Sequence, residues 1–118
     1  MDDLIIYNTD DGEANVSLLA KDGTVWCTQA QMAELFGKSI STISRHISNI
    51  LDENEVDKKS NLHFMQIANS DKPVAIYSLD VILAVGFRVR SPRGTQFRRW
   101  ANSTLREYLQ KGFVLDSE

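Results

Sequence analysis

Three observations predict an α+β fold for this chain. Short β-prone runs flank Asp22-Gly23 and, later, a cluster of turn formers from Asn69 to Pro73. Between and after them lie stretches whose apolar residues recur at helical spacing, opened by capping residues. The resulting order is strands, helix, turn, helix, hairpin, helix, helix. The 118 residues contain no internal repeat, low-complexity tract or linker, so one domain over 1–118 is expected.

The first strand is Leu4 to Tyr7. Val16 to Ala20 and Val25 to Cys27 form a hairpin, because Asp22-Gly23 supplies the positive φ angles of a tight turn. Thr28, with Gln31 three residues on, is a capping box, and Gln29 to Phe36 is rich in helix formers. Gly37 interrupts that helix, and Ser39 to Leu51 is a second one. Asn61 to Ala68 and Val74 to Tyr77 flank the Asn69–Pro73 turn as a second hairpin. Ser78 is expected to cap a third helix running to about Phe87. Ser91-Pro92 opens a fourth that closes at Lys111-Gly112, with proline at its start and glycine past its end.

With 42% hydrophobic and 25% charged residues, the composition is that of a soluble globular protein. Cys27 is the sole cysteine, so one chain can build neither a disulfide framework nor a cysteine-based zinc site, and a reducing cytoplasm fits best. Asp2 and Asp3 stand where a secretory leader would be basic, and the longest apolar run, Val81 to Phe87, is too short for a bilayer. Neither a signal peptide nor a membrane span is expected.

The net charge of −3 counts, as an average, against binding to nucleic acid. The average conceals a polarity. Seven basic residues between Arg88 and Lys111 face the single acid Glu107, a balance of +6, whereas residues 1–34 carry seven acids against Lys21, a balance of −6. Such asymmetry fits one face suited to phosphate and another turned away from it, although a solvated surface would also carry charge runs.

The segment from Thr28 to Leu51 matches the helix-turn-helix pattern for physical reasons. Ala33 is small where two helices cross closely, Gly37 takes the turn, and Ile43 packs back onto the first helix. At about 100° per residue, Ile40, Ile43, Ile47, Ile50 and Leu51 share one arc of the second helix, the expected buried face. Opposite lie Thr42, Arg45 and Asn49, flanked by Ser41, His46 and Ser48. A helix face with only solvent to meet would more often carry Glu and Lys, which favour helices more than Ser, Thr and Asn do. Arg can grip guanine bidentately, Asn adenine, and Ser or Thr either bases or phosphates. Ser41, Thr42, Arg45, His46 and Asn49 are therefore candidate base readers.

The fold class is thus expected to be a winged helix-turn-helix, with an added N-terminal β-hairpin and a C-terminal basic helix. The second hairpin would be the wing, with Lys72 near its tip. Phe97, Trp100, Ala101, Leu105, Tyr108 and Leu109 form a stripe on the last helix, for which intrachain core is preferred to a dimer seam. Ser39, Lys72, Arg93, Arg98 and Arg99 are the candidate phosphate contacts, provided that they share the face of the second helix.

No catalytic constellation stands out. His46 and His63 with one cysteine give no metal-ligand spacing, and neither a glycine-rich phosphate loop nor a nucleophile elbow occurs. No enzyme activity, metal or cofactor is expected. Cys27 reads as a small buried apolar group.

Several blocks in order carry a family resemblance: Trp26 to Phe36, Ile43 to Ile47, Tyr77 to Ile82, Gly86 to Val89, Ser91 to Ala101, and Tyr108 to Phe113. Over most of its length the chain resembles the N-terminal region of the RhuM family of bacterial virulence-associated proteins. The resemblance implies a prokaryotic regulator and a more distant likeness to phage and viral antirepressor N-terminal domains. Some relatives carry a Fic-type domain after a similar region. Family members continue past the stretch corresponding to Gly112–Asp116, so the chain is expected to be the N-terminal part of a longer protein.

The expected function is sequence-specific binding of double-stranded DNA by a cytoplasmic transcriptional regulator, with the helix from Ser39 in the major groove. A protein-docking module of the antirepressor kind, or the targeting domain of an enzyme whose catalytic part lies elsewhere, are the alternatives. Double-stranded DNA is the expected partner, a homodimer or a protein partner are the further options, and no membrane is involved.

Overall fold

The computed structural model describes residues 3–66 and 71–110. It is an α+β fold in which helices pack on one face of a five-stranded antiparallel sheet of order β1-β2-β3-β5-β4. The strands are β1 (Asp3–Asn8), β2 (Asn15–Lys21), β3 (Thr24–Cys27), β4 (Leu62–Met65) and β5 (Val74–Ser78). β2 and β3 are joined through Asp22 and Gly23, with φ of 56° and 76°, so both central positions of the turn are left-handed as anticipated. β3 also pairs with β5, Trp26 opposite Ser78 and Cys27 opposite Tyr77, which fuses the two hairpins into one sheet. Of the second hairpin's turn, residues 69 and 70 lie outside the described residues, as do 67 and 68 of its first arm.

Strand alternation sets the inner face: Tyr7, Val16, Leu18, Val25, Cys27 and Tyr77 point into the core beneath the helices. On the opposite face of β1, Leu4 and Ile6 are exposed. Trp26 is buried on that face too, its Nε1–H donating to the Lys21 carbonyl at 3.0 Å and its ring stacked on His63 at 4.3 Å.

Five helices follow in order: α1 (Gln29–Phe36), α2 (Ile40–Asp52), α3 (Lys58–Asn61), α4 (Leu79–Val89) and α5 (Pro92–Trp100). The capping box at α1 is complete, Thr28 Oγ1 accepting from the Gln31 N–H at 3.1 Å and Gln31 Oε1 from the Thr28 N–H at 2.8 Å. Gln31 Nε2 also donates to the Ser17 carbonyl at 3.0 Å, which ties α1 to β2. Pro92 is the first residue of α5, and Ser91 accepts from the Gly94 N–H at 3.2 Å. Beyond Trp100 the chain winds through a π-helical stretch, Ala101–Leu105, and returns to α-helix at 106–110; the expected stop at Lys111-Gly112 lies outside the described residues.

Two local expectations fail. Ser78 occupies the N-cap position of α4 without capping it, because its hydroxyl donates to Asn61 Oδ1 while Asn61 Nδ2 donates to the Asp57 backbone carbonyl at 2.7 Å. A buried side-chain amide needs partners, and here that need outranks the cap. The second is α3, a single turn capped by Asp57 that no apolar periodicity announces.

The core is one cluster. Ile43, Ile47 and Ile50 of α2 are no more than 2% exposed, each worth about 1.5–3 kcal/mol of burial. Phe97 lies among Tyr7, Phe36 and Trp100 at ring separations of 5.3, 6.0 and 5.6 Å, so the stripe expected on the last helix serves the chain's own core through Phe97, Trp100, Ala101, Leu105 and Leu109, whereas Tyr108 is 46% exposed. α4 and α5 cross closely at two glycines. A Cβ on Gly94 would stand 2.6 Å from the Gly86 carbonyl oxygen, and one on Gly86 3.1 Å from the Phe36 ring.

Candidate nucleic-acid interface

The helix pair α1–α2 is set by its connection. Gly37 takes the left-handed conformation, φ 66° and ψ 40°, and its N–H closes on the Ala33 carbonyl, as does that of Lys38 at 3.0 Å. Space as well as φ restricts the position, since a Cβ there would lie 3.0 Å from Arg93 Nη1. Ala33 is half-buried against the core at this crossing. Ser39 then caps α2: its Oγ accepts from the Thr42 N–H at 3.1 Å and donates to Thr42 Oγ1 at 2.9 Å. Two predicted contacts, Ser39 and Thr42, are thereby already bonded to each other.

On the outward side of α2, Ser41, Arg45, Ser48 and Asn49 are exposed, and Thr42 and His46 half-buried. Arg45 forms no hydrogen bond or ion pair with the described residues. Ile40 departs from expectation. It was assigned to the buried face but is 54% exposed, because the first residue of α2 precedes the packed turns and finds no neighbour at the correct angle. An apolar side chain is thus exposed at the start of α2, on the arc of the buried isoleucines.

Beside the C-terminal half of α2 lies an open cleft of about 540 Å³ lined by His46, Asn49, Glu55, Phe87, Arg88 and Arg90. Arg88 Nη2 donates to Glu53 at 3.1 Å and Glu55 at 2.8 Å. Those bonds, with the charges behind them, hold its pKa above the usual arginine value. Burial, and then the positive charges of Arg45 and Arg88, push the His46 pKa below the ordinary histidine value, which favours the neutral imidazole. Arg90 ends α4 with φ 50° and is exposed. Phe87, 64% exposed, stands between this cleft and a second of about 670 Å³ that Glu55, Asp57, Asp80, Leu83, Arg98 and Asn102 help to line.

The candidate phosphate contacts do not form one group. Arg98 lies against Phe87, its guanidinium carbon 5.2 Å from the ring centroid, and so borders the second cleft. Arg99 is exposed on α5. Lys72 is exposed just before β5. Arg93 is bound within the chain: Nε and Nη2 donate to Asp11 at 3.2 and 3.1 Å, and Nη1 donates to the Glu34 carbonyl at 3.0 Å. Hydrogen bonds from Thr9 and the Glu13 N–H, with Arg93 adding to them, lower the Asp11 pKa to about 2. Sequence reasoning did not place Phe87, Arg88 and Arg90 at the site; their signal was the Arg88-x-Arg90 pair at the end of an apolar helix.

Among the described residues, no group of three or more His, Cys, Asp and Glu could hold a metal ion, and no helix is long and apolar enough to cross a membrane. Cys27 is buried, and burial raises its thiol pKa far above the ordinary value.

Fold and site define a small α+β domain that presents a capped, short-polar helix face beside an arginine-lined cleft. The chain belongs to the Virulence protein RhuM family, whose profile matches residues 55–118. That match begins after α2, so family membership rests on α3, α4, α5 and the second hairpin, not on the α1–α2 pair. No curated protein and no solved structure matches the chain.

Proposed function

We propose that α1, Gly37 and α2 form a helix-turn-helix, that β4–β5 is its wing, and that the domain binds duplex DNA sequence-specifically as part of a bacterial transcriptional regulator. The observation that carries this reading is α2 itself. Its inner face is buried isoleucine, while its outer face holds Ser41, Arg45, Ser48 and Asn49 in solvent, with the Arg45 guanidinium unpaired among the described residues. These are short donors and acceptors and one planar cation at the spacing a major groove admits.

Fluorescence anisotropy with a random duplex at two salt concentrations, followed by selection for a preferred site, tests the proposal. Phosphate contacts require affinity to fall steeply with salt, and base reading requires selection to converge. A folded chain that binds no duplex at low salt refutes it, and non-converging selection refutes the sequence-specific part.

A further inference from the structure

Arg90 occupies a conformation that its side chain does not favour. Non-glycine residues with positive φ among those described are Asp22, Asn54 and Arg90. Asp and Asn tolerate that region because their short side chains bond locally, but arginine has no such compensation. A helix ending in this conformation ordinarily takes glycine, as α1 does at Gly37. The Arg90 side chain is also exposed and forms no hydrogen bond or ion pair with the described residues, so nothing within them repays the strain. Strain of this kind at a cleft points toward a function.

The neighbours indicate which function. Arg90 shares its cleft with His46 and Asn49, both from the outward half of α2, with Phe87 and Arg88 of α4, and with Glu55, whose carboxylate is turned to Arg88. Glu53 and Glu55 answer the Arg88 charge, which leaves Arg90 as the cleft's cation with no acid paired to it among the described residues. Burial, and then the charges of Arg45 and Arg88, disfavour a proton on His46, so the cleft as it stands does not welcome another cation. An anion is the ligand that such a site lacks.

We propose that the cleft between the C-terminal halves of α2 and α4 seats a backbone phosphate of the same duplex that α2 reads, with Arg90 as its principal contact and His46 and Asn49 as further donors. This assignment rests on the DNA-binding reading above and adds to it a fixed register: a strand passing Arg90 orients α2 in the groove.

The test compares wild type with Arg90→Gly, Arg90→Lys and Arg106→Ala by anisotropy on random and selected duplexes across a salt series, with thermal unfolding of each. Arg106 lines a different cleft, with Leu79, Leu83 and Leu109. Arg90→Gly is expected to melt no lower than wild type, since glycine accepts φ 50° without penalty. It should bind both duplexes about 5- to 10-fold more weakly at about 0.1 M salt, with the salt slope reduced by about 1. Arg90→Lys should keep most of the affinity and Arg106→Ala nearly all of it. If wild type binds with steep salt dependence and Arg90→Gly does the same with an unchanged slope, the phosphate seat is overturned while the α2 reading stands. An affinity loss that comes with a lowered melting temperature, and that Arg90→Lys shares in full, assigns Arg90 a structural role and also overturns it. Wild type without salt-dependent binding overturns both.

Discussion

Arg93 and Arg45 look alike in the sequence, each a basic residue in a helical stretch, yet the fold treats the two regions around them in opposite ways. At the start of α5, Arg93 is enclosed by Asp11, Glu13 and the Glu34 carbonyl, and packs over Gly37. On the outside of α2, Arg45 has no partner among the described residues. The acidic N-terminal region and the basic C-terminal region are therefore not simply two opposed surfaces; part of one neutralises part of the other. A count of charges along the chain therefore overstates how many cations of α5 are left without an intrachain partner.

Three predictions bear on this contrast, taken from the largest effect to the smallest. The scaffold side should break most readily at Gly94. Its Cβ would meet backbone, the Gly86 carbonyl oxygen at 2.6 Å, so α4 and α5 must separate to admit it. Gly94→Ala is expected to cost about 3 kcal/mol in denaturant unfolding. Gly86→Ala meets the Phe36 ring, which can yield by a few tenths of an ångström, and should cost about 1 kcal/mol. Equal costs for the two would mean that the crossing is looser than its geometry.

The second prediction sets the two arginines against each other. Arg93→Ala should lower stability by about 1 kcal/mol through its lost ion pairs and its bond to the α1 carbonyl. Its effect on the salt slope of DNA binding should be negligible. Arg45→Ala should leave the melting temperature unchanged and weaken the preferred duplex by about 1–3 kcal/mol while random duplex is little affected. If Arg93→Ala lowers the salt slope as a phosphate contact would, or Arg45→Ala weakens all sequences equally, the division drawn between the two regions fails.

What the sequence makes legible follows from the range of each interaction. Caps and turns are decided within a few residues, so Thr28 with Gln31, Asp22-Gly23, Gly37 and Ser91-Pro92 all read correctly. The periodic isoleucines of α2 give its buried face, except at Ile40, where the angle is right and the neighbours are missing. Partners far along the chain are another matter. Arg93 meets Asp11 across 82 positions, Ser78 abandons its cap for Asn61, and β3 joins β5 across α1, α2, α3 and β4. No local pattern encodes those choices. Arg90 falls between these cases: its residue type is visible, but that it sits left-handed beside His46, unpaired among the described residues, depends on how α4 lies against α2.

Acidification should separate the two regions by sign. Asp11 has its folded pKa lowered to about 2, so its contribution to stability is fully present above its unfolded value of 3.8 and is lost as pH falls through the folded value. Between pH 7.5 and 5.5 that region should be insensitive. His46 has a folded pKa below its unfolded value of 6.5, so over the same interval the unfolded chain gains protons more readily and stability falls slightly. A phosphate in the cleft would reverse that preference, since a negative charge beside the imidazole favours its protonated form. Affinity for duplex should therefore rise as pH drops from 7.5 to 5.5, while melting temperature falls slightly over the same range, and His46→Gln should abolish most of both slopes. A pH-independent affinity that is otherwise salt-sensitive would place the bound phosphate away from His46 and remove it from the donors of the cleft.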